Sequence, residues 1–417
     1  VIERHTLPLF SIAVVFRAGS IYDPAEKFGL AYLCNDLLLR GTANRSAKEI
    51  VDEITFGGGQ LTTYCDNEDA GFWGEFMTAY EETCFEMLGD VLRNSSFSED
   101  ELNKSRERIK GYLQGRFDDP HMLANELIVT QILGDDPYAH NPAGTVAGLD
   151  ALTRADIVDF FNRYYTPDNC LVIVCGDIDS DRVKTRLETY MADSTRPSGH
   201  EPISSAFTRS EKAEILIINK EDASQTQIRV GGLGIANEHP DYLSLEAAKS
   251  VFSGSFMSRL VNEIRVNRGL AYAVDLADRN FGPGGIIYVS TSTRNESVGD
   301  VLEIIYRESE TMQRAPVPDS ELTAAINYRN GLYPLDFETN DDLLSPFIKM
   351  WLYDLEPPFY EDFQEKLRRT TPNDVMSAAQ KYFPGADSYI VLIGPASVIE
   401  SQVSDYGQVR VIQFEDL

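Results

Sequence analysis

One pattern of helix and strand occurs twice in this sequence, 218 residues apart, and it restricts the fold to two similar halves. The first copy opens at Thr153, runs through an amphipathic stretch to Tyr164, and continues into an apolar strand that ends at Gly176. The second copy opens at Thr371 and repeats the same order as far as Gly394. Each threonine is followed three residues later by an aspartate, which is typical of a capped helix start. We therefore predict a tandem duplication.

A weaker repeat supports the duplication. Four residues recur in order 210 positions later, with Val51, Glu53, Ile54 and Gly59 matched by Val261, Glu263, Ile264 and Gly269. Between the halves, the polar stretch 193–205 breaks every periodic pattern, as linkers do. A chain of 417 residues is also long enough for two hydrophobic cores. We place the boundary near residue 205, with one domain at 1–205 and the other at 206–417.

Each half mixes two kinds of periodicity. Alternating apolar and polar residues at 11–17 and 227–231 predict β-strands, whereas the spacing at 81–92 and 242–252 predicts amphipathic helices. This combination indicates an α+β fold, in which each domain has a β-sheet with helices packed on it. The order of the strands does not follow from the sequence.

The composition narrows the classes of partner. With 43% hydrophobic and 25% charged residues, the chain is typical of a globular protein. Its net charge of −29 argues against a nucleic-acid partner, because phosphate binding needs clustered lysine and arginine. The acidity fits either a chamber that attracts basic peptides or a solvated acidic surface. No apolar run approaches the roughly 18 residues that a membrane helix needs.

The helix predicted at 29–37 keeps an apolar frame around three polar residues, Tyr32, Asn35 and Asp36. Their spacing is that of the H-x-x-E-H motif of inverted zinc peptidases, in which two histidines bind the metal and the glutamate is the general base. An asparagine amide has no basic site that could take a proton from metal-bound water. We therefore expect the helix without a zinc site. The residues then form a polar stripe on one helix face, or Asp36 is a weak oxygen ligand for another cation.

The segments around this helix resemble the insulinase or pitrilysin-like peptidases, which include the mitochondrial processing peptidase and its two-domain bacterial relatives. The resemblance covers nearly the whole chain and rests on the blocks at 7–10, 17–20, 40–42, 57–63 and 118–120. It implies the same α+β fold, a clam-like chamber formed with a partner subunit, and an activity that depends on zinc.

The resemblance also implies a third zinc ligand, a glutamate on a later helix near residues 105–117. No glutamate stands between Glu107 and Glu126, and Gly111 and Tyr112 occupy the expected position. No two of the five histidines are three or four residues apart. The five cysteines contain no C-x-x-C pair, so we expect mostly buried thiols. We expect no cofactor in this chain and zinc in a partner subunit.

The second half keeps a segment, Ser258 to Tyr272, that resembles the family's S-R-L…R-x-x-x-G-L-x-Y stretch. By resemblance, Arg265 and Tyr272 hold the substrate carbonyl, and both side chains can donate to a developing oxyanion. Read from the residues alone, Arg265 would be a charge near the end of a helix that stops at Gly269, and Tyr272 would be a half-buried strand residue.

The glycine-rich segment that precedes Tyr64 resembles the family's edge strand, on which substrate is laid by strand addition. The residues that the resemblance assigns to this strand are Gly59, Gln60, Leu61, Thr62 and Thr63. The alternative is a strand that is only capped by flexible glycines.

Together these features predict the non-catalytic subunit of a heterodimeric zinc-dependent endopeptidase that acts on peptides or unfolded protein. The expected partner is a paralogous subunit with an intact H-x-x-E-H motif, and the isolated chain is expected to be inactive. The alternatives are a structural scaffold subunit and a homodimeric peptide-binding module. The resemblance to bacterial members and the start at Val1 suggest the bacterial periplasm or cell envelope, with the cytoplasm as the alternative.

Overall fold

Two β-sheets covered by helices make up the part of the chain that the computed structural model describes. This part comprises residues 1–191, 205, 207, 208 and 214–417, without the side chains of Pro358 and Phe359. The predicted α+β fold, with helices packed on a sheet in each half, is confirmed. The predicted seam at 193–205 lies outside the described residues except for Ser205, so the boundary near 205 stays a prediction.

The chain divides into two compact units, and neither is continuous in sequence. The first unit takes its residues from 1–115, 140–204 and 336–355. The second unit takes its residues from 116–139, 205–335 and 356–417.

The first sheet contains the strands Ile2–Glu3 (β1), Leu9–Phe16 (β2), Gln60–Cys65 (β3), Ala70–Met77 (β4) and Cys170–Gly176 (β5). Their order in the sheet is β1-β5-β2-β4-β3, so that β3 lies at an edge. The central strand β2 is buried on both faces because its side chains alternate between two apolar clusters.

The second sheet contains Glu214–Asn219 (β6), Gln225–Leu233 (β7), Val274–Asn280 (β8), Gly285–Arg294 (β9), Tyr389–Gly394 (β10) and Gln408–Gln413 (β11). Their order is β11-β6-β10-β7-β9-β8, so that β8 lies at an edge.

The two sheets follow one plan, which confirms the predicted tandem duplication. Strands β1 to β5 correspond in order to β6 to β10, and the two sheets arrange corresponding strands identically. The pairs β1–β5 and β6–β10 are parallel, and every other corresponding pair is antiparallel. Strand β11 is an addition that runs parallel to β6 in the second sheet.

The α-helices of the described residues cover these sheets, and none is both long and apolar enough to cross a membrane. They are Leu30–Leu37 (α1), Ala47–Phe56 (α2), Glu81–Asn94 (α3), Glu99–Gly115 (α4), Pro120–Leu133 (α5), Val146–Ala151 (α6), Arg154–Tyr164 (α7), Ser180–Tyr190 (α8), Tyr242–Phe252 (α9), Val298–Arg314 (α10), Asp319–Leu332 (α11), Leu344–Tyr353 (α12), Pro358–Glu361 (α13), Phe363–Arg368 (α14), Pro372–Tyr382 (α15) and Ala396–Val403 (α16). A π-helical turn spans Val261–Asn267.

Both repeated helix starts form the capping box that the sequence predicts. The side chain of Thr153 accepts a hydrogen bond from the Asp156 main chain, and Asp156 Oδ2 accepts one from Thr153 N at 2.9 Å. Thr371 and Asp374 repeat this arrangement, also at 2.9 Å. Each cap stabilises its helix by about 1 kcal/mol and fixes where α7 and α15 begin.

Helix α5 follows the first four helices in sequence but packs on β7 and β10 of the second sheet. Arg229 of β7 fixes it there, because this side chain is 0% exposed and donates to Asn125 Oδ1 at 2.6 Å. A second bond runs from Arg229 to the main-chain oxygen of His121 at 3.1 Å. Burial lowers the pKa of the Arg229 guanidinium to about 10.

Helix α12 comes from the second sequence half but packs on β5 and β2 of the first sheet. Its residues Leu344 and Ile348 join Ala13 and Val15 in one apolar cluster. The guanidinium of Arg17 lies 3.9 Å from the centre of the Trp351 ring, and it donates to the Trp351 main-chain oxygen. Each half of the sequence thus contributes one helix to the other half's sheet.

Candidate functional site

The helix predicted at 29–37 is present as α1, and its start is held by a carboxylate from outside the helix. Asp23 accepts hydrogen bonds from Gly29 N at 2.6 Å and from Ala31 N at 2.8 Å. These two donors would otherwise be unpaired at a helix N-terminus. Gly29 has φ +103°, a conformation that favours glycine.

Asn35, at the position of the motif's glutamate, is a structural residue. Its side chain is 1% exposed, and its Nδ2 donates to Tyr64 O at 2.6 Å and to Gly71 O at 3.1 Å. Its Oδ1 accepts a hydrogen bond from the Tyr165 hydroxyl at 3.0 Å. The amide therefore ties α1 to two strands of the sheet and to the end of α7, and nothing of it remains to activate water.

Asp36, at the second histidine position, is neutralised by arginine. Its carboxylate forms an ion pair with Arg40 at 3.2 Å and a second ion pair with Arg108 of α4. The side chain of Tyr32, at the first histidine position, is half-buried, and burial raises the pKa of its hydroxyl. Two guanidinium groups thus balance the negative charge of Asp36, which is the only carboxylate among the three zinc-motif positions.

These residues do not fit zinc. The helix α4, where the resemblance implies the third ligand, supplies Arg108, while Gly111 and Tyr112 of the same helix are exposed. Within the described ranges, no three His, Cys, Asp or Glu side chains come together to hold a metal. The polar-stripe interpretation of α1 therefore describes these residues better than a weak oxygen-ligand site at Asp36.

The cysteines are free thiols, as expected. Cys34, Cys84 and Cys175 are buried, and Cys65 and Cys170 are partly buried. Burial raises the pKa of the Cys170 thiol to about 12, so this group stays protonated.

The segment assigned to substrate binding lies where an incoming strand could pair. Gln60 to Thr63 belong to β3, which pairs with β4 on one side and is an edge strand of the first sheet. Along it, Leu61 is buried and Thr62 is exposed. Gly59 precedes the strand, and a Cβ there would lie 2.4 Å from the Phe76 ring, so close packing requires glycine. This requirement argues against glycines that serve only for flexibility.

The structure brings Arg265 and Tyr272 together. The guanidinium carbon of Arg265 lies 4.7 Å from the centre of the Tyr272 ring and 5.1 Å from that of Phe256. Tyr272 is 84% exposed and Phe256 is 58% exposed. The interpretation of Tyr272 as a half-buried strand residue is therefore wrong, because β8 begins only at Val274 and Tyr272 projects into solvent before it.

The residues around this pair are held firmly by the core. Ile264, next to Arg265, is 0% exposed, and its main-chain oxygen accepts a hydrogen bond from Leu270 N at 2.8 Å. Arg259 binds both carboxylate oxygens of Glu321 at 2.7 Å. Arg265 thus stands on a π-helical turn that is anchored by the buried Val261 and Ile264, and its guanidinium lies near two exposed rings.

Sequence reasoning missed Phe256 and Met257. Both are exposed, and Phe256 forms one face of the arginine stack. A signal was present in the sequence, because two large apolar residues stand among the serines and glycine of the stretch 253–258, which follows α9. Exposed apolar groups in such a loop are typical of a binding surface.

In the second unit α9 is the counterpart of α1, because it follows β7 as α1 follows β2. Ion pairs occupy this region. Lys249 of α9 lies 2.7 Å from Glu246 and 2.5 Å from Asp278 of β8. Burial opposes the charge of Lys249, but the two carboxylates outweigh it and raise the pKa of its ammonium group to about 12. Neither unit therefore offers a metal site among its described residues.

Comparison with known proteins identifies the relatives of this chain. Residues 1–145 match the family model described as insulinase, peptidase family M16, and residues 151–328 match the model described as the peptidase M16 inactive domain. A protein of Rickettsia felis named as an uncharacterized zinc protease is 26% identical over 407 residues, which is 92% of each chain. An uncharacterized zinc protease of Mycobacterium leprae is 25% identical over 336 residues, which is 80% of this chain and 76% of that protein.

Solved structures agree on the fold. The crystal structure of a peptidase M16 inactive domain from Pseudomonas fluorescens matches with a TM-score of 0.86 at 24% identity, and 94% of each chain is covered. A protease from Helicobacter pylori matches with a TM-score of 0.84 at 18% identity, over 93% of this chain and 94% of that one. With both family models matched in order and the duplicated sheets shared, the chain belongs to the insulinase family of peptidases, family M16.

Proposed function

We propose that this chain is the non-catalytic subunit of a heterodimeric zinc endopeptidase, and that its second unit contributes Arg265 and Tyr272 to a site in the partner. One contrast carries the proposal. The side chains of the zinc-motif residues Asn35 and Asp36 are engaged in internal hydrogen bonds and ion pairs. In contrast, the partly exposed Arg265 contacts the exposed Tyr272, and neither forms an ion pair or hydrogen bond between described residues. The side chains at the zinc-motif positions therefore serve the packing of the protein, whereas Arg265 and Tyr272 remain available to a ligand.

The chemistry of the pair suits a carbonyl under attack. In such a complex the partner would supply zinc with its activated water and the glutamate base. Arg265 and Tyr272 would donate hydrogen bonds to the carbonyl oxygen as negative charge develops on it. The contacts of Arg265 with two aromatic rings restrict its side chain before substrate arrives, which lowers the entropic cost of binding.

The substrate class follows from the edge strand. An extended peptide could add to β3 by main-chain hydrogen bonds, which depend little on side-chain identity. The net charge of −29 favours basic segments. We therefore propose unfolded or extended basic peptides as the substrates.

The scaffold alternative explains less of the second unit. A scaffold has no use for a tyrosine that is 84% exposed and stacked on arginine beside an exposed Phe-Met pair. The homodimeric peptide-binding alternative keeps the edge strand but leaves the Arg265–Tyr272 pair without a task. The periplasm or cell envelope stays our proposed location, which fractionation of the native host would test.

The deciding experiment is reconstitution. The chain is co-expressed with the host's paralogue that carries an intact H-x-x-E-H motif, and each protein is also purified alone. We expect a one-to-one complex with zinc in the paralogue, and cleavage of a quenched basic peptide only by the complex. A paralogue that is fully active alone, or that never associates with this chain, would refute the proposal.

A further inference from the structure

A cavity of about 230 Å³ lies in the first unit, between α3, α8 and the sheet. The rings of Phe16 and Tyr165 pack against each other at 4.7 Å along one side of it, and Cys170 and Val172 of β5 line it beside them. None of the zinc-motif positions of α1 lines it, although the Tyr165 hydroxyl donates to Asn35 of that helix. Neither Arg265 nor Tyr272 lines it, and the proposed function does not use it.

Two helices that approach each other closely border the cavity. A Cβ at Gly89 of α3 would lie 2.4 Å from the main-chain oxygen of Tyr190, so α3 and α8 approach closely there. About one turn further along α3, Leu92 lines the cavity together with Leu187 and Met191. The walls are therefore mostly apolar side chains and one thiol.

The size of the cavity limits its occupant. An engineered apolar cavity of about 150 Å³ holds benzene, so this larger cavity has room for one aromatic ring or one branched aliphatic side chain. Thr166 also lines it, is 1% exposed, and its hydroxyl has no hydrogen-bond partner within the described part of the chain. A buried hydroxyl normally has a partner, and a bound molecule could supply one.

The mouth of the cavity has two opposite charges that do not pair. Arg93 of α3 and Glu188 of α8 both line it and are both exposed. Arg93 Nε donates to Gly89 O at 3.2 Å. Among the described residues, neither Arg93 nor Glu188 forms an ion pair, so their charged groups are more than 4.0 Å apart. An unpaired cation and anion at one mouth complement a zwitterion.

We propose that this cavity binds a free α-amino acid with an apolar side chain, such as phenylalanine or leucine. The side chain would fill the apolar interior, Arg93 would bind the carboxylate, and Glu188 would bind the ammonium group. A fatty acid or an apolar amine would satisfy only one of the two charges and leave the other facing a like charge.

Titration of the full chain with L-phenylalanine tests this proposal. Binding is monitored by calorimetry and by the NMR spectrum of protein whose methionines carry ¹³C-labelled methyl groups. We expect binding in the millimolar range or tighter, with a shift of the Met191 resonance and none of the exposed Met257. The Met191→Leu variant assigns the signal. Phenylalanine amide and 3-phenylpropionate, each lacking one charge, should bind about tenfold more weakly.

Two charge variants and a control complete the test. Arg93→Gln and Glu188→Gln should each weaken L-phenylalanine binding about tenfold, whereas Arg314→Gln, an exposed change in the second unit, should not. Both target side chains are exposed, so the variants should fold. The proposal is overturned if Met191 does not respond, if 3-phenylpropionate binds as well as phenylalanine, or if both charge variants bind normally.

Discussion

The guanidinium carbon of Arg265 lies 4.7 Å from the centre of the Tyr272 ring, on the solvent side of a π-helical turn whose inner face is core. Such a contact near the surface is worth about 0.5–1 kcal/mol, too little to explain by stability alone why a tyrosine that is 84% exposed stands against a partly exposed arginine. The Arg265 guanidinium and the Tyr272 hydroxyl have no hydrogen-bond acceptor among the described residues. This arrangement is better explained by a role in binding a ligand than by a role in packing.

Replacing Arg265 or Tyr272 tests this directly in the reconstituted complex. Arg265→Ala and Tyr272→Phe should each lower kcat by about a hundred- to a thousandfold, as loss of one oxyanion donor does. The complex should remain assembled and zinc-loaded. The matched control is Arg268→Ala, three residues away and within 3.8 Å of Glu263. An increase in KM alone would assign the pair to ground-state binding, and unchanged kinetics would remove it from the mechanism.

The purified chain should contain no stoichiometric zinc and should hydrolyse no peptide. The reason is that Asn35 and Asp36 are already bonded within the chain and α4 offers Arg108 in place of a ligand. Elemental analysis of the protein, with a quenched-peptide assay, checks both expectations. One zinc per chain that only a chelator removes, with matching activity, would show that the metal site is real.

Asn35→Ala should lower the free energy of unfolding by roughly 2 to 4 kcal/mol, because two main-chain acceptors and the Tyr165 hydroxyl lose a buried partner. Urea denaturation measures this loss. The exposed Asn373 provides the control, since Asn373→Ala should change stability by only a few tenths of a kcal/mol, within roughly 0.5. An Asn35→Ala variant as stable as the control would mean that water replaces the amide without cost.

A proline at Thr63 should abolish peptide binding by the complex, since it removes a main-chain donor from the edge strand β3. Thr63→Val keeps the donor and the branched shape, and it should bind normally. Fluorescence anisotropy with a labelled extended peptide distinguishes the two. Equal binding by both variants would show that substrate does not pair with this strand.

The stability of the protein should depend on the ionisation of Asp69. Burial raises the pKa of this carboxyl to about 7, reinforced by Asp66 and Glu68, although the Tyr64 hydroxyl donates to it at 2.8 Å. An unfolded aspartate titrates near about 3.9, so between roughly pH 4 and 7 the folded state binds a proton that the unfolded state does not. The free energy of unfolding contributed by Asp69 therefore falls as the pH rises through this window and levels off above it.

Urea midpoints measured across that window check the sign. Asp69→Asn should flatten the decline relative to the wild type, and Asp135→Asn, an exposed change, should leave it as it is. The same slope in all three proteins would place the pKa of Asp69 in its ordinary range.

Local signals predicted the local structure well. The helix at 242–252 has the bounds of α9, and the strand at 11–17 is β2 shifted by one residue at its end and two at its start. Both capping boxes form where a threonine precedes an aspartate by three. These elements follow from hydrogen bonds and side-chain periodicity within a few neighbouring residues, which the sequence contains directly.

The amino-acid sequence by itself determined the duplication and the loss of zinc ligands, because a repeat and a missing imidazole are matters of residue identity. Only the tertiary structure decided which partners the side chains at the zinc-motif positions have. Arg108 reaches Asp36 across 72 positions, and Asn35 meets Tyr165 across 130. It also decided that α5 and α12 are exchanged between the sheets. Such contacts depend on how strands order and helices pack over long separations, and many chain paths share the same local pattern.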